Sequence, residues 1–141
     1  MSTKLSIEIM ASIEELSKVE NAIDKLYEDG GLTDVNYGNV IVASTEAVLN
    51  AMNHGATKDS DQKVLFEIEI TEKEIIVEVS DSGEGFDFLN LPDPTDPTNI
   101  EKGSGRGIFI MKNLSDSLEY ENNGSKVVMK FSSDTPVSLE A

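Results

Sequence analysis

Cysteine is absent from the 141 residues, so the chain has no disulfide, no thiolate metal site and no cysteine nucleophile. Histidine occurs once, at His54, which rules out a multi-histidine metal centre. Basic residues are scarce: 11 Lys and Arg stand against 27 Asp and Glu, giving a formal net charge of −16. Phosphate neutralisation needs clustered Lys and Arg, and no such patch interrupts the acid, so nucleic acid is not expected as a partner. No apolar run approaches the about 20 residues that cross a bilayer. Met1-Ser2-Thr3-Lys4 does not lead from a cationic segment into a long apolar stretch, as a secretory signal would. The expectation is a soluble protein of the cytoplasm with no membrane partner, and the missing cysteines fit a reducing compartment. The excess acid is first a solvated surface; steering toward a basic protein partner is the functional alternative.

What is present suits one domain over residues 1–131, with 38% hydrophobic residues to build a core and a polar tail over 132–141 that is expected to fray. Leu5 to Ile9 alternates as a strand, and Ser12-Ile13-Glu14-Glu15 has the form of a capping box opening a first helix. Ile13, Leu16, Val19, Ile23 and Leu26 keep helical spacing up to Gly30-Gly31. Asp34 then caps a longer helix reaching about Asn53, with Gly55 as its terminator. Val64 to Ile70 and Ile75 to Val79 alternate as two half-buried strands, and the short Thr71–Glu74 link makes them an antiparallel hairpin. A buried helix follows Gly107, and Leu118-Glu119-Tyr120 and Val127 to Phe131 form a closing hairpin. Between them, residues 87–102 hold Pro92, Pro94 and Pro97, which neither a helix nor a central strand accepts. A loop of that length reads as a mobile lid, a plain connector being the alternative.

The second helix carries chemistry. Glu46 and Asn50 lie one turn apart and share a face, with His54 a turn further on, while Val40, Ile41, Ala47, Val48, Ala51 and Met52 form an apolar stripe opposite them. Those polar residues are therefore expected to line an opening. Asn50 offers the neutral oxygen that suits magnesium, which takes few protein ligands and otherwise phosphate and water. Glu46 can accept a proton from a nucleophile near a terminal phosphate, or be an ordinary exposed helix carboxylate. His54 reads as a helix-terminal residue and not as a catalyst. Asp81, at a strand end before Gly83 and Gly85, can accept from the exocyclic amine of adenine while the glycines let backbone approach the base. Gly103, Gly105 and Gly107 open a helix whose N–H groups can face phosphate, and Arg106 can pair with it or form a surface ion pair.

The combination is more specific than any part. Glu-x-x-x-Asn-Ala-x-x-His-Gly, then Asp-x-Gly-x-Gly-Phe after a hairpin, then Gly-x-Gly-Arg-Gly-Ile-x-Ile-Met before a helix, closely resembles the GHKL superfamily of ATP-binding proteins. Within it the chain resembles the bacterial anti-sigma factor serine/threonine kinases, from Leu5 to Phe131. The resemblance implies a Bergerat two-layer α/β sandwich, a mixed, mostly antiparallel sheet with helices on one face. It implies Glu46 as general base, Asn50 as ligand of Mg2+, Asp81 as the adenine contact, and Gly83 and Gly85 shaping the base pocket. Gly103, Gly105, Arg106 and Gly107 would line the phosphate side of ATP or ADP. It further implies a partner of the STAS type, an anti-anti-sigma protein that receives phosphate on Ser or Thr, together with sequestration of a sigma factor and homodimerisation. One departure bears on the sigma factor: relatives use a basic residue on the first helix, where this chain has Glu14, Glu15 and Glu20 with only Lys18 nearby. A nucleotide-binding regulatory module with little kinase activity is the alternative.

Overall fold

Alternating apolar residues in five segments make one sheet, and three helices cover the side on which those residues project. In a computed structural model, which describes residues 2–55, 63–81, 103–121 and 125–133, the order is β1 (Thr3–Met10), α1 (Leu16–Glu28), α2 (Asp34–Asn50), β2 (Lys63–Ile70), β3 (Glu74–Asp81), α3 (Gly103–Leu114), β4 (Ser117–Glu121) and β5 (Lys126–Ser132). The strands lie in the order β1-β2-β3-β5-β4, and each of the four pairings is antiparallel. This is the two-layer sandwich that the resemblance implies, except that every described pairing is antiparallel where a mixed, mostly antiparallel sheet was expected. The loop over 87–102 and the tail beyond residue 133 lie outside the described residues.

Register explains the layers. Val64, Phe66 and Ile68 of β2, Ile75, Val77 and Val79 of β3, and Val127, Met129 and Phe131 of β5 are all buried and project toward the helices. Against them sit Val19, Ile23 and Leu26 of α1, Val40, Ala43, Ala47 and Val48 of α2, and Ile108 and Met111 of α3. Helix α2 lies between α1 and α3, with small residues where it is most enclosed: Ala43, Ser44 and Ala47 are all at most 2% exposed. The hydroxyl of Ser44 is buried there with no hydrogen-bond partner. Such a group forfeits its bonds to water without replacement, so Ser44→Ala is expected to stabilise the fold by about 1 kcal/mol, read as a higher urea midpoint at unchanged slope.

The helix starts differ from the sequence reading in two places. The Ser12 capping box does not form, because the chain enters as a tight turn, Ile13–Glu15, in which the Glu15 N–H already donates to the Ser12 carbonyl at 2.9 Å. Glu15 instead accepts from the Met10 N–H at 3.1 Å and pairs with Lys18 at 2.9 Å; both contacts, the lysine first, hold its carboxyl below the usual range. The working capping box is one motif later. Thr33, not Asp34, is the N-cap of α2: its hydroxyl accepts from the Asn36 N–H at 3.2 Å, and the Asn36 side chain accepts from the Thr33 N–H at 2.8 Å. Gly30 ends α1 in the left-handed region, at φ 87°, where a side chain would be strained.

A reciprocal clamp ties α1 to α2. Tyr27 donates to Asp34, Tyr37 donates to Asp24, and the two rings stack with centroids 4.5 Å apart. Each aspartate bond favours the neutral phenol and raises both tyrosines above their ordinary value of 10.0. Their folded-state pKa values exceed the unfolded ones, so this contribution to stability is complete below about pH 10 and is lost above it, as pH rises through the raised folded values. The double variant Tyr27→Phe/Tyr37→Phe should therefore show a flatter loss of thermal stability above about pH 10 than the parent.

Candidate functional site

The ends of α2 and β3 converge. Helix α2 closes at Asn50, where the Ala51 N–H is shared between the Ala47 and Val48 carbonyls, and the chain continues as a wider π-helical turn, Ala51–Gly55, packed beside β3. The sequence reading carried an unbroken helix to about Asn53; the structure widens it three residues earlier. A π turn commonly marks a place where a helix has been re-aimed at a site. His54 falls within this turn.

Glu46 is half-buried on α2, facing the start of α3. A methyl group at Gly107 would stand 3.3 Å from the Glu46 Oε1 atom, closer than a Cβ ordinarily lies to a neighbour. Glycine there lets the α3 backbone approach the carboxylate. Gly103, Gly105 and Arg106 occupy the preceding turn of α3, so the glycine-rich motif does open a helix as expected. The first N–H groups of a helix have no partner within it, which makes such an end favourable for an anion.

Asn50 is only 7% exposed, deeper than the sequence reading placed it. It sits at the rim of the apolar stripe and not opposite it, because helix α3 flanks α2 and the sheet underlies it. Its Nδ2 donates to the hydroxyl of Tyr120 at 3.4 Å. Burial holds Tyr120 above the ordinary tyrosine range, an effect that the Asn50 bond partly offsets, so its phenol stays protonated at any neutral pH. Tyr120 was not among the residues singled out from sequence. Its signal was available: it alternates with Leu118 on an inward-facing strand, and an inward tyrosine needs a polar partner.

Asp81 is the last residue of β3, on the same helix-facing side as Val77 and Val79. Its N–H donates to the Ser125 carbonyl at 2.9 Å, which fixes the strand end where the chain leaves the sheet. One pleat back, Val79 pairs with Val127 and Val127 with Tyr120, so Asp81 and Tyr120 stand at the same end of the sheet. Gly83 and Gly85 lie outside the described residues. The described parts thus unite Glu46 with Gly107 and Asn50 with Tyr120, and set Asp81 at the sheet end nearby.

The donor set suits a magnesium nucleotide. With its nitrogen turned to Tyr120, the Asn50 carboxamide keeps a carbonyl oxygen for a hard cation, and a carboxylate lies one helical turn away.

Comparison with known proteins agrees with this geometry. Residues 9–131 match the model of the histidine kinase-like ATPase domain, and the chain belongs to that family. Within it the chain falls with the anti-sigma factor kinases. It is 31% identical over 137 residues to an anti-sigma F factor of Clostridium perfringens, covering 92% of this chain and 96% of that protein. A Clostridium beijerinckii anti-sigma F factor is 32% identical over 135 residues, covering 90% and 92%. The serine-protein kinase RsbW of Listeria innocua is 24% identical, covering 92% and 87%. A crystal structure of the RsbU and RsbW domains of a Mycobacterium tuberculosis protein shares the fold, with a TM-score of 0.59 at 16% identity over 92% of this chain and 32% of that one. The family is one of nucleotide-binding proteins, and no described helix is long and apolar enough to cross a membrane.

Proposed function

We propose that this chain transfers the terminal phosphate of ATP to a serine or threonine hydroxyl of an anti-anti-sigma protein of the STAS type. The observation that carries the reading is the close approach of Glu46 to the glycine-opened start of α3, one helical turn from the buried Asn50. Asp81 would accept from the adenine amine, with the glycine motifs around the base and the phosphates. Asn50 would hold Mg2+, which when bound neutralises charge on the phosphate oxygens. Glu46 would take the proton from the acceptor hydroxyl as its oxygen bonds to the terminal phosphorus and ADP departs. The N–H groups opening α3, with Arg106, would balance phosphate charge in a protein whose net charge is −16.

The same surface would serve a partner switch, in which the nucleotide-loaded chain holds either a sigma factor or the phosphate acceptor. Lys18, the cation near the start of α1 that could meet a sigma factor, is half-exposed and already paired with Glu15 at 2.9 Å. An exposed pair of this kind is weak, so an acidic partner group can displace it. The test is direct: incubate the chain with Mg2+, labelled ATP and the STAS proteins of its own genome. Label on a serine or threonine of one of them is the expected result. Nucleotide binding without transfer to any of them would reduce the chain to a nucleotide-gated binding module.

A further inference from the structure

Asn50 can serve a cation with only one of its two terminal atoms. The carboxamide has an oxygen and a nitrogen of nearly equal shape, and rotation by half a turn about the Cβ–Cγ bond exchanges them. Only the oxygen can coordinate a metal ion; the NH2 group in its place would direct hydrogens at the cation. An asparagine that holds magnesium therefore needs something that fixes its rotation. A buried helix residue beside an apolar stripe has few groups able to do so.

The hydroxyl of Tyr120 is placed for that task. It accepts from Asn50 Nδ2 at 3.4 Å, across 70 residues of sequence, from the outermost strand of the sheet. Its ring is partly buried against the core beneath α2, so the hydroxyl position is set by packing and not by a flexible tether. With the nitrogen engaged, the Asn50 oxygen is turned the opposite way. We infer that Tyr120 is a positioning residue that fixes the Asn50 carboxamide with its oxygen toward the metal, so that the ligand is in place before the ion arrives. The inference rests on the reading of Asn50 as the magnesium ligand. It adds a residue from β4, outside the glycine motifs and the helix that carries Glu46.

The test is a cycle of calorimetric nucleotide titrations, each done with Mg2+ and with the ion chelated. In the parent, Mg2+ should tighten binding, and Asn50→Ala should remove that gain. Tyr120→Phe keeps the ring and loses the hydroxyl; it should cut the Mg2+-dependent gain roughly fivefold, the worth of one neutral hydrogen bond, while affinity without the ion stays put. In an Asn50→Asp background both terminal atoms are oxygens, rotation no longer matters, and adding Tyr120→Phe should change the gain by less than about twofold. A purely structural tyrosine would lower affinity equally with and without the ion, in both backgrounds. That result, or a Tyr120→Phe protein with the full parental gain, overturns the inference. If the parent itself shows no gain from Mg2+, or Asn50→Ala retains it, the reading of Asn50 fails first and this inference with it.

Discussion

Glu46→Gln is expected to bind nucleotide within about twofold of the parent and to lose roughly 10²- to 10⁴-fold in the rate of phosphate transfer. The amide keeps the length and shape of the side chain, so the contact with Gly107 survives and the approach of α3 to α2 is unchanged. What disappears is the ability to take a proton from an attacking hydroxyl. Single-turnover transfer to the STAS acceptor, run beside a calorimetric titration of the same preparation, separates the two quantities. Transfer at the parental rate would make Glu46 a packing residue, and the base would have to be sought elsewhere.

Asp81→Asn should act on the other quantity. Its carboxylate stands at the end of a central strand, on the helix-facing side, with its backbone N–H committed to Ser125. An amide can still present a carbonyl, but it brings a donor into a place that also receives the donor of an adenine amine. A buried mismatch of this kind costs about 1–3 kcal/mol, or roughly tenfold to more than a hundredfold in affinity. The pairing of β3 runs through backbone groups, so circular dichroism should show the parental secondary structure. Undiminished nucleotide affinity in the folded variant would remove Asp81 from the base pocket.

The strands were legible in the sequence because burial on one face imposes a period of two, which shows in Val64 to Ile70 and Ile75 to Val79 in spite of Leu65 and Ile76 on the other face. The boundary of α2 was harder. Thr33 and Asp34 are both good caps, and only the reciprocal bond with Asn36 decides between them. Ser12 shows the opposite failure: its motif is sound, but a turn that satisfies the Glu15 N–H from the backbone leaves the hydroxyl nothing to cap. At the candidate site, Glu46, Asn50 and Asp81 are singled out by residue type and order, and their roles are those we propose. Strand alternation marks Tyr120 only as an inward tyrosine in need of a polar partner; that the partner is Asn50 emerges when β4 is laid beside β5 and brought under the end of α2. Nor does spacing reveal that Gly107 lies close against a side chain 61 positions earlier.

That last contact has an evolutionary consequence. A Cβ on residue 107 would press on the Glu46 Oε1 atom, so the two positions are expected to drift together. Alanine at 107 gains helix propensity, about 1 kcal/mol over glycine, and would be favoured by any selection for stability alone. It is accommodated only if the Glu46 carboxylate, the group proposed to deprotonate the acceptor hydroxyl, gives way by a few tenths of an ångström. Across descendants of this chain, Glu at 46 should be inherited together with Gly at 107, and lineages in which position 107 has acquired a side chain should be those in which position 46 has also changed and transfer has been given up.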